Sequence, residues 1–216
     1  MRENAYIINF VVGTNQPAHN VNYPPLFQNQ HCMEEYKKVS DSETILTELM
    51  IPSYSNFGGK IHGGVILSLM DKVAYVCAAK HANAYCVTAA IEKVDFLAPV
   101  EVGNLVSLLA SVNYTGNSSL VIGIRVISEN IKTHQVKHTN TSYFTMVAFG
   151  DDNKPAKVPG LILANNKEAY RFHKGLLRKK LKTKYKGEQE SLVSMETTEE
   201  YKEALKDEKC IFRIQE

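Results

Sequence analysis

The chain has 216 residues, 44% of them hydrophobic, enough for one domain with a substantial core plus extensions. Its 25 Lys and Arg against 23 Asp and Glu leave a formal net charge of +2, which gives no global pull toward nucleic acid or an anionic membrane. The cysteines Cys32, Cys77, Cys86 and Cys210 show no C-x-x-C pair and no histidine at ligand spacing, which argues against a zinc site or a disulfide framework and for a reducing, cytoplasmic setting.

Residues 1–40 read as a poorly ordered N-terminal extension, because Gly13, Pro17, Pro24 and Pro25 lie among Asn and Gln with no sustained period. The apolar run from Ala5 to Val12 is too short to cross a bilayer, and Glu3 and Asn9 spoil it as a signal-peptide core. Met33, just ahead of Glu34-Glu35, would serve as an alternative start. Residues 43–51 suit an opening strand, and Pro52 to Gly59 the loop after it. From about Val65 to Ala79 only Ser68, Asp71 and Lys72 are plainly polar, which predicts a helix apolar almost all round and therefore wrapped by the rest of the fold. An acid inside such a helix asks for an explanation.

Four strand-like runs follow, at 84–96, 105–114, 119–129 and 139–148, rich in Val, Ile, Thr, Tyr and Phe. They are punctuated by Pro99 and Gly103, by a tight turn at Thr115-Gly116-Asn117-Ser118, and by a connection from Asn130 to Lys137. One strand, one long helix, then four strands is an α+β order, because parallel strands would need repeated crossovers. The sheet is therefore predicted to be antiparallel and curled around the helix. Asp151 to Pro155 is a turn, residues 161–186 a helix with a basic face, Glu199 to Lys206 helix-like, and Cys210 to Ile214 a short strand. Charge is polarised here: residues 167–186 hold nine Lys or Arg and one Glu, and residues 188–209 eight acids and three lysines.

Several short motifs occur in a fixed order: Asn56 through His62-Gly63-Gly64, Met70-Asp71, Val94-Asp95-Phe96 with Pro99-Val100 and Gly103, Gly116-Asn117-Ser118-Ser119, and Phe144 to Ala148 with Val158-Pro159. On these motifs the segment from about Ser42 to Pro159 resembles the hot-dog-fold acyl-CoA thioesterases, in particular the YciA type and the brain-type (cytosolic) acyl-CoA hydrolases. The resemblance implies a five-stranded antiparallel sheet around a central long helix over residues 41–160, with residues 161–216 a C-terminal helical extension, basic then acidic. It implies hydrolysis of acyl-CoA to free acid and CoA, in fatty acid metabolism, with no metal or redox cofactor, CoA being only part of substrate and product. In the related tandem hydrolases an Asn of one unit's pre-helix loop meets an Asp on the other unit's helix. This chain's one unit carries both, at Asn56 and Asp71, which implies a homodimer with shared sites, built further into a trimer of dimers.

Thioester hydrolysis needs a polarised carbonyl and either an attacking carboxylate or a water activated by one. The free N–H groups at a helix start suit a developing oxyanion, with Gly63 the first choice of donor and Gly64 its neighbour. Asp71 is then general base or nucleophile, the bland reading being a solvated acid paired with Lys72 or Lys93. Asn56 would hold the water or the carbonyl, or merely serve the Ser55 to Gly58 bend. His62 would orient the loop or donate to the thioester oxygen, or merely cap the helix.

Gly116, Ser118 and Ser119 are candidates for the pantetheine or a CoA phosphate, and from the basic helix so is Arg171, whereas Lys174, Arg178, Lys179 and Lys180 read mostly as a solvated face. Cys77 and Cys86 read as buried small hydrophobes. Two rivals remain: a non-catalytic module that binds acyl-CoA as a sensor, disfavoured by retention of Asn56 and Asp71, and a hydratase or dehydratase, for which no His–acid pair is visible. No nucleic-acid or membrane partner is expected.

Overall fold

Leu120, Ile122, Ile124 and Val126 alternate along one strand and are all fully buried, so one face of the sheet they belong to is the wall of the core. The computed structural model describes residues 35–190, 198–206 and 208–210. The expectations for residues 1–34 and for a strand at 210–214 lie outside, or run outside, the described residues. The strands are β1 (Tyr36–Lys38), β2 (Thr44–Leu49), β3 (Tyr85–Ile91), β4 (Asn104–Thr115), β5 (Ser119–Asn130), β6 (Gln135–Phe149) and β7 (Gly160–Ile162). The helices are α1 (Gly63–Ala82), α2 (Asn166–Glu190) and α3 (Thr198–Ala204). Strands β2, β4, β5, β6 and β3, in that order, make the expected five-stranded antiparallel sheet.

α1 lies on the inner face and touches every strand of that sheet. Ile66, Leu69, Met70, Val73, Ala74, Cys77 and Ala78 are buried there, the small residues letting helix and sheet approach closely. Each larger side chain contributes on the order of 1.5–3 kcal/mol by burial, and truncating Met70 to Ala would cost about 2–5 kcal/mol. His62 caps the first turn, and Asn83, left-handed at φ 50°, ends the helix by donating its N–H to the Ala79 carbonyl. The helix is not apolar all round in effect: Ser68, Asp71, Lys72, Tyr75 and Val76 form an exposed stripe beside β3, an open edge of the sheet.

Three boundaries differ from the sequence expectation. β6 begins at Gln135, inside what reads as a connection, because Gln135 to His138 are exposed and pair with β5 through the backbone without any apolar alternation to betray it. β3 stops at Ile91, beyond which the regular ladder gives way to isolated backbone bonds to β6, from the Glu92 N–H to the Tyr143 carbonyl and from the Leu97 N–H to the Thr139 carbonyl. α2 begins only at Asn166: Asn165 Oδ1 accepts the Glu168 N–H and the Glu168 carboxylate accepts the Ala164 N–H, a reciprocal cap. The freed residues Gly160–Ile162 pair in parallel with Tyr36–Lys38, so the end of the expected N-terminal extension and the start of the C-terminal one are part of the folded body.

α2 lies on the outer face of the sheet. Phe172 packs on Tyr114 with ring centroids 5.1 Å apart. Gly175 lets the helix close on β4, since a Cβ there would stand 2.7 Å from that of Tyr114. Among the described residues no helix is long and apolar enough to cross a membrane.

Candidate active site

On α1, positions 68, 71, 72 and 75 fall on one stripe, so the acid in the apolar helix faces the edge strand and not the core. There Thr88 Oγ1 donates to Asp71 Oδ1 at 2.6 Å, and the same hydroxyl lies 3.3 Å from Met146 Sδ. Thr88 pairs with Met146 in register, which turns its side chain to the helix side of the sheet. Asp71, Lys72, Tyr75, Tyr85, Val87 and Thr88 line a cavity of about 330 Å³ that opens at this edge. Lys93, a suggested partner for Asp71, is instead ion-paired with Asp95 at 3.0 Å. Thr88 does not stand out in the sequence, because only the β3–β6 register shows which face it takes.

Cys86 also lines the cavity, but burial pushes its thiol up to about 11, and that of Cys77 to about 12. Both are therefore protonated at neutral pH and behave as the buried hydrophobes expected of them.

The glycine-rich loop is closed by its own polar groups. Asn56 Oδ1 accepts from the N–H of Gly58 (2.9 Å) and of Lys60 (3.2 Å), the behaviour of a turn residue, while its Nδ2 has no partner among the described residues. His62 Nδ1 accepts the Gly64 N–H at 3.0 Å, so His62 is the helix cap, and the Gly64 donor is already used. The Gly63 N–H has no acceptor among the described residues and borders a second cavity, about 360 Å³, with Lys60, Ile66 and Phe96.

Gly63 and Asp71 are eight residues apart on one straight helix, roughly 12 Å along its axis at 1.5 Å per residue. One carbonyl carbon cannot be within about 3–4 Å of both a base and an oxyanion donor so separated. A single copy therefore does not bring Asn56 and Gly63 to Asp71 and Thr88.

The β4–β5 turn is closed by the Gly116 N–H donating to the Ser119 carbonyl (2.7 Å), and the Ala148 N–H of β6 donates to the Ser118 carbonyl (2.9 Å), which ties the turn to that strand and leaves both hydroxyls free for other partners. Ser119 lines a small cleft of about 150 Å³ with Arg178, Lys179 and Lys182 of α2. Arg178 is engaged there: its Nε lies 3.1 Å from Glu92 Oε2 and its guanidinium 3.5 Å over the Tyr143 ring. Burial raises the Glu92 pKa, an effect opposed by Arg178 and Lys182. Arg171 is not part of this cleft. It lies eight residues, roughly 12 Å, nearer the start of α2 than Lys179, with Nη1 3.3 Å from Ser111 Oγ. Lys179 and Lys182, rather than Arg171, are the lysines that line a cleft with Ser119. No group of three His, Cys, Asp or Glu that could hold a metal occurs among the described residues.

Residues 58–134 match the model of the thioesterase superfamily. Protein VdlD of Helicobacter pylori is 41% identical over 143 residues, 66% of this chain and 82% of that protein. A solved apo-hexameric acyl-CoA thioesterase is 35% identical with TM-score 0.68, covering 70% of this chain and 97% of the other. An acyl-CoA hydrolase from Staphylococcus aureus, solved in complex with butyryl coenzyme A, coenzyme A and coenzyme A disulfide, is 28% identical with TM-score 0.66, covering 72% and 94%. Structures of that enzyme also exist with an asparagine, an aspartate and a threonine each replaced by alanine, at positions 15 and 17 residues apart. Asn56, Asp71 and Thr88 have the same spacing.

Proposed function

The chain belongs to the acyl-CoA thioesterases of the thioesterase superfamily, and from that premise we propose that it hydrolyses acyl-CoA to free acid and CoA at sites shared between two copies. The observation that carries the reading is the Thr88–Asp71 hydrogen bond at an edge cavity, in residues spaced like those replaced in the Staphylococcus aureus hydrolase. Thr88 holds one carboxylate oxygen of Asp71 and leaves the other to take a proton from water. The water oxygen attacks the thioester carbonyl carbon, and negative charge develops on the carbonyl oxygen. The Gly63 N–H of the other copy, at the positive end of α1, stabilises that charge, and Asn56 Nδ2 positions the water or the carbonyl. Collapse breaks the C–S bond, and CoA leaves as the thiolate to be protonated. No metal or redox cofactor takes part.

The edge strand supports the proposed assembly. β3 presents an unpaired strand edge with Tyr85 at 60% and Ile91 at 47% exposure, flanked by Tyr75 and Val76 of α1, and such an edge is normally covered. Pairing β3 with that of a second copy covers it and sets two α1 helices side by side. The minimum is a homodimer, and a trimer of dimers follows the hexameric relative. Ser119, with Lys179 and Lys182, is assigned to the CoA phosphates, and Ser118 next to it in the turn to the same end of the substrate. Cys77 and Cys86, free thiols, support a cytoplasmic setting, and the reaction serves fatty acid metabolism.

The test is CoA release from a panel running from acetyl-CoA to palmitoyl-CoA by the parent and by Asp71→Ala. Turnover that disappears in the variant supports the assignment. Activity near the parent level in the variant removes Asp71 from the site, and tight binding without turnover in either protein favours the sensor.

A further inference from the structure

Phe57 is 113% exposed, whereas the next most exposed large apolar side chains among the described residues, Ile45 and Leu97, stand at 67%. A lone exposed phenylalanine carries no weight by itself. The way this one is held does. The Asn56 N–H donates to the Lys60 carbonyl at 2.7 Å and the Gly59 N–H to the Asn56 carbonyl at 3.0 Å, while Asn56 Oδ1 accepts the Gly58 and Lys60 N–H groups. Gly59 turns the chain at φ 72°, a conformation that glycine adopts without strain. The foot of the loop is tied down by a Ser55–Ile61 bridge, a Lys60–Glu101 bridge and an ion pair between the same Lys60 and Glu101 at 2.5 Å. The turn is therefore a fixed pedestal that holds a phenyl ring clear of its own chain.

The edge cavity beside Asp71 and Thr88 fits such a ring. Tyr75, Tyr85, Cys86, Val87 and Met146 give it mostly apolar walls. Tyr75 and Tyr85 already meet there at 60° with centroids 6.2 Å apart, a tilted arrangement that a third aromatic ring extends. The cavity, about 330 Å³, is larger than one ring needs, since about 150 Å³ holds benzene. Phe57 is too exposed to fill the cavity of its own chain, so the ring comes from a second copy. The shared site brings Asn56 of one copy to Asp71 and Thr88 of the other, and consecutive Cα atoms are about 3.8 Å apart. Phe57 therefore arrives at the mouth of the same cavity.

We propose that Phe57 of one copy enters the edge cavity of the other and sets the length of the acyl chain that the site accepts. The inference rests on the shared-site reading above. A thioester whose carbonyl carbon lies against the Asp71 carboxylate directs its acyl chain into the apolar part of the cavity. The ring takes roughly half of that space, so a short chain fits beside it and a long one has to displace it. Phe57 is thus a specificity-determining residue supplied by the second copy, next to the Asn56 that positions the reacting groups.

The experiment measures kcat/KM of the full chain for butyryl-, octanoyl-, dodecanoyl- and palmitoyl-CoA, in the parent, Phe57→Ala and Phe57→Trp. The palmitoyl-to-butyryl ratio is expected to rise tenfold or more in Phe57→Ala and to fall in Phe57→Trp, since one methylene in an apolar pocket is already worth about 10- to 200-fold. A role in folding or assembly alone would lower every substrate by the same factor in both variants. Such equal factors, or ratios within twofold of the parent, overturn the proposal. The chain has no tryptophan, so Phe57→Trp also introduces a single fluorophore whose signal needs no turnover. The indole is expected to emit as a buried ring in the native oligomer, and to shift to the red with a saturating hexadecyl-CoA thioether, which cannot be hydrolysed, but not with the butyl thioether. Emission of a solvent-exposed indole in the oligomer overturns the proposal. Absence of turnover in the parent would sink the hydrolase reading, whereas a buried indole displaced by the long thioether alone would still support the placement of residue 57 in the cavity.

Discussion

Thr88 on the edge strand and Asp71 on the central helix are joined by a 2.6 Å hydrogen bond, the only side-chain bond recorded for that carboxylate among the described residues. Thr88→Val keeps the shape of the side chain and removes the donor. One hydrogen bond to a charged group is worth about 1.5–3 kcal/mol, so kcat is expected to fall on the order of 10- to 150-fold with KM nearly constant. Steady-state kinetics on one acyl-CoA decide it, and an unchanged kcat takes Thr88 out of the site.

The separation of Gly63 and Asp71 along α1, about 12 Å by helical rise, makes a complementation test sharp. Asn56→Ala and Asp71→Ala proteins are each expected to be inactive. Unfolded together and refolded as mixed oligomers, they form dimers in which one site carries both changes and the other carries neither. Activity should return to about a quarter of the parent level for random pairing of a two-fold dimer. If each site were built within one copy, every site in the mixture would carry one lesion and nothing would return.

Val76 is 38% exposed on the same stripe of α1 as Tyr75, and Tyr75 leans on Tyr85 of β3 with ring centroids 6.2 Å apart. Val76→Glu would place a charge in the proposed interface, where burying it unpaired costs several kcal/mol. Expected are a monomer by light scattering, native far-ultraviolet circular dichroism and loss of hydrolysis in parallel with loss of the dimer. A variant that stays assembled would move the interface elsewhere.

The fold class was readable because the inner rows of β4 and β5 and the apolar side of α1 obey simple periods, and because Gly116-Asn117 marks the turn between the two strands. The polar start of β6, Gln135 to His138, was not, since a ladder between exposed residues needs no hydrophobic pattern. At the site, Asp71 stood out as an acid in an apolar helix. Thr88 did not, because threonine is ordinary in a strand and its role depends on register with Met146. His62 is ambiguous in sequence, and the geometry shows the capping half of its reading, its Nδ1 accepting the Gly64 N–H. Arg171 and Ser119 are both candidates for the CoA end of the substrate in the sequence, but α2 lies along the sheet and puts them at different clefts.

His81, in the last turn of α1, is fully buried, with Nε2 3.1 Å from the Pro159 carbonyl and Nδ1 3.4 Å from Ser42 Oγ. It pins the helix end to the segment that enters β7. Burial lowers its pKa, helped by Lys37 and opposed by the Pro159 carbonyl, Asp41 and the Gly160 backbone. In the folded state the neutral ring is favoured, while the unfolded chain takes up its proton near the ordinary histidine value of about 6.5. The stability this histidine contributes is therefore complete above that value and is lost as pH falls through it toward the lowered folded pKa. Melting temperatures of the parent from pH 8 to pH 5 should drop more steeply below about pH 6.5 than those of His81→Gln, which can still donate to Pro159 and does not titrate. Parallel curves for the two proteins would mean that other groups set the acid limit.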